Sequence, residues 1–374
     1  MRLPKPDFTL LFTLLLMSQI LHAQTHFSVK SLASIPDKDG FAGSLAGVSN
    51  GALIVAGGSN FPNSGRPWSG ATKKWYDQIW VLEKSNGQWK NVGKLPRPLG
   101  YSVSLTWHDA VVCVGGSNET GHFAESFLMR WQNQQVVFEK LPDFPLTIAN
   151  ACGALVGDVL YVAGGLEKPN AAQALSTFYA LDLSAEPTKR TWKELPVWQG
   201  PARMLSVAAG VEGRFYLFSG TSLTENKADK SVNRTYLKDA HCYAPKTNQW
   251  TQLTDLPHAT VAAPTPAFMA DNQLVILGGD TGENANNNLI LKDKHPGFST
   301  DILGFDRINN QWKSLQSFPA KIKSDAETNP NKSTYLPVTT PLVSWQGGYV
   351  IPGGEARPGT RTPRVLMIKP KQRF

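Results

Sequence analysis

The segment IPGGEARPGTRT, residues 351–362, holds the densest set of reactive side chains in the chain. Glu355 follows Gly354 directly, and Arg357 and Arg361 come next, with Pro358 and Gly359 shaping the turn between them. One carboxylate among several cations suits proton transfer on an anionic substrate, the arginines holding the anion while the glutamate takes and returns protons. The plain alternative is a loop ion pair between Glu355 and Arg361, since such pairs also arise for structural reasons. Other polar candidates fall at comparable places: Asn60 and Arg66 after an earlier glycine pair, Asn118 and Glu119 after the next, and Arg97, Tyr101 and Arg203 in connecting segments. Glu355 and Arg361 are the catalytic candidates; Arg203, Arg97, Asn60 and Tyr101 are the substrate-binding ones. Each has a competing role: solvated cation for Arg203 and Arg97, core aromatic at the start of SVSLTW for Tyr101, turn residue for Asn60.

Other chemistries find little support. His108, His122, His241, His258 and His295 are dispersed without short ligand spacing, so no metal site is expected, and no G-x-S-x-G elbow appears. The cysteines fall within strand-like runs, which disfavours a copper radical oxidase, whose mouth needs a tyrosine, a histidine and a cross-linked cysteine.

These residues hang on a repeat. A short apolar run ending in a glycine pair closes at Gly58, Gly116, Gly165, Gly220 (as Ser219-Gly220), Gly279 and Gly354. An apolar residue followed by proline recurs at Pro36, Pro96, Pro142, Pro196, Pro257 and Pro319, at spacings of 60, 46, 54, 61 and 62. From each proline to the next closing glycine the separations are 22, 20, 23, 24, 22 and 35, so only the sixth copy carries a sizeable insertion, around 320–335. Between glycine pair and proline lies an aromatic-bearing strand and then Trp89, Phe138, Trp192, Trp250 or Trp312. Four short strands per repeat of roughly 50 residues, with paired glycines and a late tryptophan, predict an all-β fold, a six-bladed kelch β-propeller over residues 24–374. The glycines are expected to permit close backbone approach near the axis.

The sixth repeat supplies three strands, about 337–345, 348–352 and 364–369, whereas HFSVKSLASIP at 26–36 carries a late-strand pattern with no blade of its own. The N-terminal strand is therefore expected to complete blade six and close the ring, leaving only short edges. Turns such as SNGA, VEGR and WQGG are short and rich in Asn, Asp and Gly, as tight hairpins require. Connections after the glycine pairs and after the prolines are longer and emerge on the opposite face, where a site is expected.

Composition bounds the partners. With 374 residues, 41% hydrophobic and 18% charged, the chain can bury a substantial core. Residues 1–23 read as a secretory signal peptide: Arg2 and Lys5, a mostly apolar run from Phe8 to Ile20, and Ala23 before Gln24. Its removal takes away two cations and Asp7, so the net charge of +8 becomes +7, with no later membrane span. The basic residues are scattered, which favours an anionic small molecule over nucleic acid. A periplasmic or secreted protein follows, with homo-oligomer formation left open. Cys113, Cys152 and Cys242 read as buried free thiols, a Cys113–Cys152 disulfide being the alternative.

GFAGSLAGVSNGALIVAGG at 40–58, GYSVSLTW at 100–107 and above all GGEARPGTRT at 353–362 resemble the kelch-type N-acetylneuraminate epimerases, or sialate mutarotases. In better-known bacterial members the Glu-containing blade lies mid-chain, so this sequence is similar to a cyclically permuted branch, an order that a closed ring tolerates. The resemblance implies conversion of α-N-acetylneuraminate to its β anomer without a cofactor, Glu355 standing at the family's proton acceptor and Arg361 at an arginine of the same motif. The blade-five loop, GENANNNLILKDKH, departs from the aromatic and acidic helical excursion of those members. A non-catalytic propeller that binds a glycan or a protein through the same face is the rival reading.

Overall fold

A computed structural model describes residues 26–318 and 336–371. The expected signal peptide at 1–23 and the insertion at 320–335 lie outside the described residues.

Short apolar runs, each too short to bury itself alone, pair into six antiparallel four-stranded sheets. Blades one to five occupy residues 45–94, 103–141, 152–194, 207–253 and 268–317. The turns between first and second strands are tight because two successive residues adopt the left-handed conformation, as at Asn50-Gly51, Glu212-Gly213 and Gln346-Gly347. Blade six takes Val343–Trp345, Gly348–Pro352 and Val365–Lys371 from the C-terminal end, and His26–Ser31 pairs antiparallel with the last of these. This closing strand is held on both flanks. Gln316 of blade five exchanges two hydrogen bonds with the Phe27 backbone, at 2.8 and 3.2 Å, and Trp89 of blade one donates Nε1–H to Ala33 O at 2.7 Å.

The late tryptophans peg one blade to the one before it. Trp192, Trp250 and Trp312 donate to Pro142 O, Pro196 O and Thr254 O respectively. Apolar clusters fill each inter-blade space, for instance Leu45, Ile54, Val111 and Cys113 between blades one and two. All three cysteines are buried and unpaired with one another, and burial pushes their thiols up, Cys152 to about 12. The alternative disulfide is thereby excluded.

The close approach made by the glycine pairs is to the incoming connector of the neighbouring blade, not the axis: a Cβ on Gly57 would lie 2.1 Å from Leu99 O. The second member of each pair has φ between 93 and 117°, a range in which a side chain is strained, whereas the first has φ near 60°. Serine therefore replaces glycine only at the first place, Ser219, where its hydroxyl donates to Leu237 O and accepts from Thr260 N, both at 2.8 Å.

Around the axis, Gly43, Tyr101, Asn150, Leu205, Ala262 and Thr339 all have φ between 55 and 67°. Each N–H donates to the carbonyl of its counterpart in the preceding connector: Tyr101 to Gly43, Asn150 to Tyr101, Leu205 to Asn150, Ala262 to Leu205, Thr339 to Ala262 and Gly43 to Thr339, at 2.7–3.0 Å. The hoop is complete. On one side of it lies a cavity of about 70 Å³ lined by small residues such as Ser102, Ser104 and Ser206. On the other side the loops after the glycine pairs form extra hairpins, Ser59–Asn60 with Lys74–Trp75, Ser117–Asn118 with Gly121–His122, Thr221–Glu225 with Val232–Tyr236, and Glu355–Arg357 with Thr360–Arg361.

Candidate active site

The glycine pair of blade six turns the chain out of Gly348–Pro352 and into the Glu355 hairpin. There Glu355 is the cross-strand partner of Arg361, and residues directly opposite in a ladder project to the same face. Arg361 Nη1 accordingly donates to Glu355 Oε1 at 3.0 Å, and Gly359 N–H donates to the same oxygen at 2.7 Å. Reciprocal backbone bonds with Val338, at 2.8 and 2.9 Å, fix the base of the hairpin. Arg361 stacks over Phe61 at 5.0 Å and is buried, with its Nε making no hydrogen bond among the described residues. Burial alone would weaken its hold on the proton, but the charge of Glu355 and the neighbouring Tyr101 outweigh it, and the guanidinium stays firmly charged.

Tyr101 faces the same space. As a member of the axial hoop its backbone is fixed on both sides, its ring meets Trp75 edge-on at 5.3 Å, and its hydroxyl lies 2.9 Å from Ser59 Oγ and accepts from Lys73 Nζ at 3.3 Å. Burial would raise the phenol, yet the cations of Arg361 and Lys73 prevail and bring it below the ordinary tyrosine value. With Glu119, His122 and Arg234 these groups line a cleft of about 410 Å³ over the hoop. That volume suits a small polar ligand. Cations for an anion, the Glu355 carboxylate and a phenol in one cleft can bind an acidic sugar and move protons on it.

Of the residues expected from the sequence, the structure thus brings together Glu355, Arg361 and Tyr101. The other three lie elsewhere. Arg203 is 0% exposed; its guanidinium forks onto Asp239 at 2.9 and 2.5 Å and donates to Ser219 O and Pro201 O, so it has no surface to offer a substrate. Arg97 stands outside the cleft, on the flank between blades one and two, paired with Glu125 at 2.8 Å and stacked on Phe123. Asn60 is buried one layer behind, donating to Gly40 O at 2.9 Å and accepting from Tyr76 at 2.8 Å. It braces the segment whose Gly40 abuts the Thr362 backbone, so its effect on the site is positional.

Sequence reasoning missed Ser59, Lys73, Trp75, Arg234 and Asp280. Ser59 and Asp280 were findable, because they follow their glycine pairs as Glu355 does, and all three make the same antiparallel bridge to a connector. Asp280 accepts from Tyr236 at 3.2 Å; burial raises its carboxyl and the charge of Glu355 adds to the rise. Lys73 carries no such signal: the pairing of Asn60 with Lys74 delivers it. The blade-five loop is helical after all, through short turns at Ala285–Asn287, Asn288–Leu291 and Lys292–Lys294. Its Asp293 ties it to two other loops, accepting from Arg66 Nε at 2.8 Å through its carboxylate and from Arg357 through its carbonyl.

Comparison with known proteins agrees with this architecture. The solved structure titled "Structure of YjhT" superposes with a TM-score of 0.58 over 73% of this chain and 83% of that one, at 15% identity, and so shares the fold. N-acetylneuraminate epimerases of Salmonella enteritidis PT4 and Haemophilus influenzae are 38% and 35% identical over 104 and 105 residues, each match covering 25% of this chain. The chain spans only about a quarter of the length of these curated relatives, 27% and 28%. The N-acetylneuraminate epimerase family model matches residues 18–138 and 141–295, well over half of the sequence, ending before the Glu355 hairpin. On that match, and on a propeller whose six blades are all accounted for, the chain belongs to the N-acetylneuraminate epimerase family.

Proposed function

We propose that this protein interconverts the α and β anomers of N-acetylneuraminate, with Glu355 as the acid–base group and Arg361 as its cationic partner. The observation that carries the reading is the Glu355–Arg361 pair, open to a cleft of sugar-acid size in a chain of the epimerase family. The substrate carries a carboxylate, and Arg361, Lys73 and Arg234 line the cleft to receive it. Mutarotation then needs only proton movement: the anomeric hydroxyl loses its proton to Glu355, the carbon–ring-oxygen bond breaks as a ketone forms, and the ring oxygen recloses on the other face of that ketone. The hairpin holds the carboxylate against rotation through Gly359 N–H and Arg361, which favours a fixed attack geometry. The signal-like sequence of residues 1–23, a short basic start followed by an apolar run, supports a periplasmic or secreted location.

Proton NMR exchange between the two anomers near neutral pH tests the activity. Acceleration by the wild-type protein over buffer is the expected result. Line broadening of the sugar without acceleration would instead make the chain a glycan-binding propeller.

A further inference from the structure

Ring opening requires two proton movements, and Glu355 supplies one. We infer that Tyr101 is the second proton-transfer group, donating to the sugar ring oxygen as Glu355 takes the proton of the anomeric hydroxyl. The inference rests on the mutarotase reading and adds a residue to it. Tyr101 and Glu355 line one cleft, and Arg361 lies against both. The tyrosine hydroxyl is held by Ser59 and Lys73, and its backbone by the hoop, so the group cannot drift. The φ of 59° at Tyr101 is the conformation that all six hoop stations share, so the hoop fixes the backbone from which this side chain enters the cleft. The rivals are worse placed. His122 has its Nδ1 engaged by Leu166 O, and Asp280 faces the adjoining depression with His295 and accepts from Tyr236.

The proton count closes. In opening, the O–H electron pair of the anomeric hydroxyl becomes the second C–O bond of the ketone, the ring C–O bond gives its pair to the ring oxygen, and that oxygen takes the Tyr101 proton. In closing, the resulting phenolate removes the proton from the open-chain hydroxyl, the ring C–O bond re-forms on the other face of the ketone, and Glu355 returns its proton to the former ketone oxygen. Both side chains end as they began. The phenolate formed midway faces Arg361 and Lys73, which stabilise it; Glu355, whose negative charge opposes a phenolate in the resting site, carries the substrate's proton and is neutral at that stage, and Glu119, His122 and Arg234 complete the lining.

Anomer exchange measured as a pH profile for wild type, Glu355→Gln, Tyr101→Phe and Lys73→Gln decides the matter. Tyr101→Phe is expected to lower kcat by about 100-fold or more with KM within roughly threefold, and to abolish the alkaline limb of kcat/KM. Lys73→Gln is expected to move that limb to higher pH, because a cation opposing protonation is gone. Wild-type activity lost in Glu355→Gln but kept within about threefold in Tyr101→Phe would overturn the role of Tyr101 and leave the mutarotase reading intact. A wild type that accelerates nothing overturns the mutarotase reading first, and this one with it. Should Tyr101→Phe not fold, an alkaline limb unmoved in Lys73→Gln would overturn the inference alone.

Discussion

Two buried arginine–carboxylate pairs, Arg203–Asp239 in blade four and Arg361–Glu355 in blade six, use the same chemistry to opposite ends. Arg203, fully buried, forks onto Asp239 and gives two further bonds to backbone carbonyls, so that each guanidinium nitrogen is engaged, and His241 adds a further bond to the same carboxylate at 2.7 Å. Nothing is left over for a ligand. Arg361 makes a single bond to Glu355, keeps a buried Nε without a partner among the described residues, and borders a cleft. The difference teaches that satisfaction, more than burial or residue type, separates a structural ion pair from one available for chemistry.

The sharpest way to break this comparison is to remove one charge from each pair. Glu355→Gln should reduce anomer exchange by about 10²–10⁴-fold with the melting temperature little changed, measured by NMR exchange and calorimetry. A large loss of stability would place the two pairs in one class. Arg203→Ala should do the converse, costing roughly 3–5 kcal/mol in denaturant unfolding because it strands a buried charge, with exchange per folded molecule preserved.

A smaller effect concerns acid. Burial would raise the Asp239 carboxyl, but His241 and Arg203 hold it well below the usual carboxylate range. Its contribution to stability is therefore complete above the unfolded value, about 4, and lost as pH falls through the lower folded value. In Asp239→Asn the unfolding free energy should lose part of its slope below about pH 4, read from urea titrations across that range. The smallest contrast is Arg361→Lys, which keeps the charge and gives up the planar fork: a rise in KM of roughly tenfold with unchanged melting is expected, from steady-state exchange rates.

Much of this was readable in advance, for physical reasons. A closing glycine at φ 93–117° and a proline before each connector are backbone constraints, so they mark every blade in the sequence. The closing strand was legible because blade six ran short of strands. Glu355 and Arg361 were legible as a pair because six residues and a tight turn separate them, which is a local relation. Arg203 misled because its partner lies 36 residues away across a blade, and sequence carries no register for such a meeting. Lys73 was hidden for the same reason. Phe138, in place of the tryptophan peg of other blades, remains partly exposed, so the repeat is an average that individual blades depart from.

The axial hoop has a consequence for how the family can evolve. It is built from main-chain groups alone and accepts glycine, tyrosine, asparagine, leucine, alanine and threonine at its six stations, so it is indifferent to side-chain identity. Being cyclic, it also has no first or last member. Opening the polypeptide between any two blades would leave every station and the cleft above it in place, which makes the starting point of the gene a neutral variable. Removing one blade is different in kind, because it strands one donor and one acceptor at once, and these can meet again only if the remaining blades re-space around the axis.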